Sequence, residues 1–238
     1  MSNFFNTMNF VLRQPSKGYR YNIDSLLLAL FCQFKKQERV VDLGCGVGVL
    51  SVLAIKRGKV SEVIGVEIQE ELLEFAHQNI EELHLQNSFR VIHDNWKNIS
   101  KHLPQADFDL VVSNPPYRKM GSGCLSKHSQ KIIAKHEVEG SLKDLLQAAK
   151  YLMKRKGRFC VIYPALRLED FIHEIEKQKL KISRLRMIHP FLNQKATHFM
   201  AEVVFSVEGE IKVEAPLVVY QDKENYTLEV GKWLKNLE

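Results

Sequence analysis

The run Asp42-Leu43-Gly44-Cys45-Gly46-Val47-Gly48 constrains this chain more than any other part of it. It follows the apolar residues Val40–Leu43, which read as a buried strand, and it leads into helical character over Val49–Arg57. Glycines at alternate positions let the backbone turn tightly and let a ligand come close to it. The helix that follows points its N-terminal amides at the same crevice. A strand, a glycine turn and a helix in that order begin a parallel α/β sheet.

The alternation continues. Val63–Glu67 reads as a second strand, and Gln69–Leu83 as an amphipathic helix with Leu72, Leu73, Ala76, Ile80 and Leu83 on one side. Phe89–His93 and Phe108–Ser113 are the third and fourth strands, Leu142–Met153 a helix with Ser141 as N-cap and a Lys-Arg-Lys end, Arg158–Tyr163 a fifth strand and Leu168–Gln178 a further helix. The expected fold class is α/β, a doubly wound and mostly parallel sheet. Ile182–Ile188, Ala201–Val207 and Ile211–Val219 are β-rich with little helix between them, so they are expected to add antiparallel strands at the C-terminal edge. Residues 1–38 lie outside the alternation, as an N-terminal extension of a single domain spanning 1–238. Asp24 is expected to cap a helix over Ser25–Phe34.

Two ligands compete for the glycine turn. Glu67 closes the second strand about 20 residues on, where an acid meets ribose hydroxyls in nucleotide-binding sheets. A dinucleotide fingerprint needs Gly or Ala where Val49 stands. The pattern D-x-G-x-G-x-G after an apolar strand resembles instead the first motif of the Rossmann-like S-adenosylmethionine methyltransferases (class I). That resemblance implies S-adenosylmethionine as cofactor, with Asp42, Gly44, Gly46 and Gly48 at its methionine end and Glu67 on its ribose. Asp94, after the third strand, matches the acid that binds the adenine amino group. Ile68 and Asn95, beside these acids, are assigned to the same pocket.

The fourth strand runs directly into Asn114-Pro115-Pro116-Tyr117. In a sheet of order 3-2-1-4-5 the strand order reverses between the first and fourth strands, and ligands bind outside the carboxyl ends at such a point. The glycine turn and Asn114 would then face one crevice. An exocyclic amine or an amide nitrogen has a delocalised lone pair and attacks a methyl sulfonium poorly. Two acceptors aimed at its N–H bonds localise that lone pair, and the Asn114 side-chain oxygen and the Pro115 carbonyl can serve. The prolines fix the backbone direction and remove competing N–H groups. The Tyr117 ring can stack on a planar substrate. The tetrad resembles that of amino-methyltransferases acting on adenine N6, cytosine N4 or glutamine N5, and does not separate them.

A closer resemblance spans nearly the whole chain. Gln14-Pro15-Ser16-Lys17-Gly18-Tyr19-Arg20-Tyr21, Asp24-Ser25-Leu26-Leu27-Leu28, Asn114–Tyr117, Gly121-Ser122-Gly123, His136-Glu137, Gly157-Arg158-Phe159, Pro164–Leu168 and Asn225-Tyr226-Thr227 are similar to the bacterial tRNA(Val) adenine N6-methyltransferase family, which modifies the adenosine beside the anticodon. The resemblance implies that Tyr19 and Asp24 border the cofactor pocket, that Asn114 also touches it, and that tRNA is the substrate. Arg118 and Lys119 follow the tetrad directly and are placed to contact phosphate, with Lys127 and Lys131 in the same loop. A glutamine N5-methyltransferase acting on a protein and a DNA adenine N6-methyltransferase are the alternatives. The former typically carries a sizeable N-terminal helical domain, and only about 40 residues precede the first strand here.

Composition agrees without deciding. The 238 residues carry 34 Lys+Arg against 28 Asp+Glu, a net charge of +6, which suits a polyanionic partner. No acid precedes Asp24, and none lies between Asp109 and Glu137, where Arg118, Lys119, Lys127, Lys131 and Lys135 stand. No apolar stretch approaches the roughly 20 residues of a membrane span. The start, MSNFFNTMNFVLRQ, is polar and interrupted and does not read as a signal peptide. Cys32, Cys45, Cys124 and Cys160 are scattered, without metal spacing, as expected of reduced thiols in a cytoplasm. No metal, membrane or obligate protein partner is expected.

Overall fold

The structure, a computed structural model, describes residues 10–16, 22–116, 140–205 and 209–235. Its elements in chain order are α1 (Ile23–Phe31), β1 (Arg39–Leu43), α2 (Val49–Gly58), β2 (Glu62–Glu67), α3 (Glu70–Glu82), β3 (Phe89–His93), a 3-10 turn (Trp96–Lys101), β4 (Phe108–Ser113), α4 (Leu142–Leu152), β5 (Met153–Pro164), α5 (Leu168–Lys177), β6 (Leu180–His189), β7 (His198–Phe205), the short strands β8 (Lys212–Val213) and β9 (Leu217–Val218), and α6 (Leu228–Lys235). The sheet order is β3-β2-β1-β4-β5-β7-β6-β8, with β9 also on β6. β1 to β5 run parallel, and β7 is inserted antiparallel between β5 and β6. The mostly parallel, doubly wound sheet with its reversal between β1 and β4 is the one expected.

Alternation along each strand fills two cores. Val40, Leu110 and Cys160 face α1, α2, α3 and α6, while Val41, Val111, Phe159 and Val161 face α4, α5 and the 3-10 turn. These side chains are fully buried, each contributing about 1.5–3 kcal/mol of apolar burial. Burial on both faces explains why the strands read as continuous apolar runs.

Several boundaries differ from expectation, each for a local reason. Asn22, not Asp24, caps α1: its side chain accepts from the Asp24 N–H, and Asp24 sits in the first turn. The helix stops at Phe31 rather than Phe34: Gln33 turns left-handed, with φ +48°, and buried arginines satisfy the carbonyls left free. Arg184 donates to Phe31 O at 2.6 Å, and Arg158 donates to Cys32 O and Gln33 O at 3.2 Å. The Lys154-Arg155-Lys156 run does not end α4. It opens β5 in an irregularity of the β4–β5 register, where Lys154 pairs with Asp109 at 2.8 Å. The expected strand over Ile211–Val219 is broken into β8 and β9, with Pro216, which has no N–H to give, between them. Helix α6, which buries Val230 and Leu234, was not foreseen.

Candidate active site

At the end of β1 the turn is built on hydrogen bonds to β2. Gly44 N and Cys45 N both donate to Val66 O, at 2.8 and 3.1 Å. Two of the glycines are favoured by conformation and stand in close quarters. Gly44 has φ +76°, and a Cβ there would lie 3.2 Å from the Trp96 ring. Gly48 has φ +90° and caps α2, and its Cβ would lie 2.8 Å from Phe89. Gly46 sends its N–H to Glu67 Oε2 at 2.8 Å. The other oxygen of Glu67 accepts from Ile68 N at 3.0 Å and Gln69 N at 2.8 Å. Asn79 of α3 binds the turn from behind, donating to Val47 O at 2.9 Å and exchanging hydrogen bonds with the Arg13 backbone.

Asp42 lies fully buried at the root of this turn. Ser51 Oγ donates to its Oδ2 at 2.9 Å, and its Oδ1 has no partner. Burial pushes its pKa up to about 7, against the Ser51 hydrogen bond and with the nearby charge of Glu67 adding to the rise. An orphaned buried carboxylate oxygen fits a cationic group, and such a group would restore the charged form.

β4 runs in register with β1, Asp42 beside Val112, so Ser113 comes level with Leu43 and Asn114 with the glycine turn. Ser113 Oγ donates to Leu43 O at 2.7 Å. Asn114, 9% exposed, donates from Nδ2 to Ser25 Oγ in α1 at 2.9 Å. A small open crevice is lined by Gly44, Gly46, Glu67 and Ile68 together with Asn114 and Pro116. Pro115 is buried and Pro116 exposed.

The remaining expected residues are placed differently. Asp94 and Asn95 do not line this crevice. The Asp94 carboxylate accepts from Asn98 Nδ2 at 2.8 Å, His102 Nε2 at 2.6 Å and Asn95 N, and these bonds hold its pKa down to about 2. Gly48 and Asp42 shape the turn from outside the crevice. Asp24 accepts from Asn22 Nδ2 at 2.8 Å; burial raises its pKa and His198 opposes the rise. Tyr19, Tyr117, Arg118, Lys119, Lys127 and Lys131 lie outside the described residues. Sequence reasoning missed Ser25, Ser51 and three residues lining the crevice: Gln69, Leu72 and Trp96. The only sequence signal for Trp96 was a large aromatic two residues after Asp94. Among the described residues no cluster of His, Cys, Asp and Glu could hold a metal ion, and no helix is long and apolar enough to cross a membrane.

A sheet of this order, with a glycine turn after β1, an acid after β2 and Asn-Pro-Pro after β4, is the architecture of a class I methyltransferase. The chain belongs to the methyltransferase-domain family, whose model matches residues 34–230. It is 27% identical over 210 residues to the tRNA1(Val) (adenine(37)-N6)-methyltransferase of Aliivibrio salmonicida, covering 88% of this chain and 86% of that one. It is 26% identical over 227 residues to the protein of the same name from Pedobacter heparinus, covering 95% and 94%. Among solved structures it is similar to one from Agrobacterium tumefaciens described as a predicted O-methyltransferase, with a TM-score of 0.71, 20% identity and coverage of 90% and 96%, a likeness of fold.

Proposed function

We propose that this methyltransferase uses S-adenosylmethionine and methylates the exocyclic N6 amine of an adenine in tRNA, in the anticodon loop. The observation that carries the chemistry is the shared crevice: Glu67 and the glycine turn on one wall, Asn114 and Pro116 on the other. The cofactor supplies an electrophilic methyl group on a sulfonium. Glu67, fixed by three backbone N–H groups, is the ribose acceptor; Ile68, Leu72 and Trp96 are the apolar walls; the carboxylate of Asp42, buried behind the turn, favours a positive charge at the methionine end through space.

Catalysis in this site is positioning and aimed dipoles. The Asn114 side-chain oxygen and the Pro115 carbonyl accept the two N–H bonds of the amine as its nitrogen becomes tetrahedral. Tyr117 stacks on the base. No strong general base is required.

The substrate assignment draws on the names of the relatives and on charge. The acid-free segments before Asp24 and between Asp109 and Glu137 carry Arg13, Lys17, Arg20, Arg118, Lys119, Lys127, Lys131 and Lys135. A loop base is already partly unstacked, so presenting it costs less than the few kcal/mol of extruding one from a duplex. The test is methyl transfer from labelled cofactor to unmodified tRNA, duplex DNA and purified release factor. Transfer to tRNA with adenine N6 as the methylated atom is expected. Transfer to DNA or release factor and not to tRNA refutes the tRNA assignment.

A further inference from the structure

The main chain of Asn114 is held by the strand register up to Asp42–Val112 and by Ser113 Oγ on Leu43 O. Neither contact fixes the side-chain amide. The terminal torsion of an asparagine is broad and roughly two-fold, so an unrestrained amide samples many planes. In this fold one restraint on it comes from 89 residues away in sequence: Asn114 Nδ2 donates to Ser25 Oγ at 2.9 Å. Ser25 is 2% exposed. A serine in the first turn of a helix ordinarily serves its own backbone. Here Asn22 does the capping, and the Ser25 oxygen meets another element.

The helix that carries Ser25 is a rigid mount. Leu26, Leu27, Leu28 and Phe31 are buried at 0 to 1% exposure. Its final carbonyls are bound by Arg184 and Arg158 from the far strands. With the amide nitrogen of Asn114 committed to Ser25, Oδ1 is the atom of the group that can act as acceptor.

We propose that Ser25 is a positioning residue for methyl transfer: its hydroxyl sets the plane and direction of the Asn114 amide and so aims the acceptor at the amine. The inference rests on Asn114 being that acceptor. It makes no contact between Ser25 and substrate necessary. It also gives the N-terminal extension a part in the chemistry: α1 lies outside the alternating β/α pattern, yet it completes the site.

The test is a double-mutant cycle in the full chain, with an unmodified tRNA transcript as substrate. Ser25→Ala is expected to lower kcat by about 10- to 100-fold, the scale of a misplaced catalytic group. KM for tRNA and cofactor affinity by calorimetry should stay within about twofold of the wild-type chain. Asn114→Ala should lower kcat at least as much, and adding Ser25→Ala to it should cost no further kcat, because the group being aimed is gone. Ser25→Thr, which keeps the hydroxyl, should recover activity where it folds. Should Ser25→Ala leave kcat unchanged while Asn114→Ala lowers it, the positioning role is overturned and the function stands. Equal losses from Ser25→Ala in the presence and absence of Asn114 mean a general structural effect and also overturn it. If Asn114→Ala transfers methyl at the wild-type rate, the assignment of Asn114 falls, and the inference with it.

Discussion

Gly46 N donates to Glu67 Oε2 at 2.8 Å, joining the glycine turn of β1 to the acid that ends β2. One carboxylate therefore has two tasks. It satisfies the backbone amides of Gly46, Ile68 and Gln69, and it lines the crevice.

Glu67→Ala should therefore lose cofactor affinity by more than the ribose contact alone. Each charge-assisted hydrogen bond to the cofactor is worth about 1.5–3 kcal/mol, and the turn loses its tie as well. At least a tenfold drop is expected by calorimetry. Glu67→Gln keeps the shape but turns an NH2 group toward a backbone N–H, so it should also lose affinity. Unchanged affinity in folded Glu67→Ala would sink the assignment.

Asp42 predicts a dependence of stability on pH. Its folded pKa of about 7 lies above its ordinary value of 3.8, so the folded state holds a proton that the unfolded state has released. The group favours folding below about pH 4, and that contribution is lost as pH rises to about 7. Relative to Asp42→Asn, the wild-type chain should lose roughly 3 kcal/mol of unfolding free energy between pH 5 and pH 8. Urea denaturation at a series of pH values measures this; parallel curves for the two proteins would contradict it. A cationic ligand group beside Asp42 would lower its pKa again. Binding of S-adenosylmethionine at pH 6.5 should then release protons, seen as a heat that varies with the buffer.

Arg158 and Glu38 form an ion pair whose side chains are 11% and 8% exposed, with a bond of 3.0 Å, and Arg158 also binds the end of α1. Removing Glu38 leaves a buried guanidinium without its main counter-charge, since Glu202 stands farther off at 3.8 Å. Glu38→Ala should cost about 3–5 kcal/mol in urea denaturation. Replacing both partners, Glu38→Gln with Arg158→Met, should cost less than Glu38→Ala alone. If it costs more, the pair is more than compensated burial.

Much of this molecule was legible in the sequence because its elements are encoded locally. The apolar runs of β1 to β4, the glycine turn and the Asn-Pro-Pro step carry their own signatures, and topology then places Asn114 opposite Glu67. What was illegible depends on partners far along the chain. Nothing near Phe31 signals that Arg184 will bind the end of α1, and nothing near Asn114 signals Ser25. The Lys154-Arg155-Lys156 run has the composition of a helix C-terminus, but the register of β5 on β4 claims it. Trp96 looked like an isolated aromatic until the fold set it against Gly44.

The charge pattern predicts how the substrate binds. If the acid-free segment after Asn114 holds the tRNA backbone, each Lys or Arg on a phosphate releases counterions, and log affinity falls linearly with log salt. Arg118 and Lys119 come directly after Tyr117 in the sequence, the residue assigned to the target base, and are proposed to contact phosphates near it. Changing both to Ala should weaken tRNA binding and reduce the magnitude of the salt slope by about 2, one for each contact. Cofactor affinity should not change, because neither residue is assigned to the cofactor. Binding titrations of unmodified tRNA at salt concentrations from about 50 to 200 mM measure the slope for both proteins. An unchanged slope with weakened binding would mean that the two side chains act on the base or on the loop's own structure, and the phosphate assignment would be wrong.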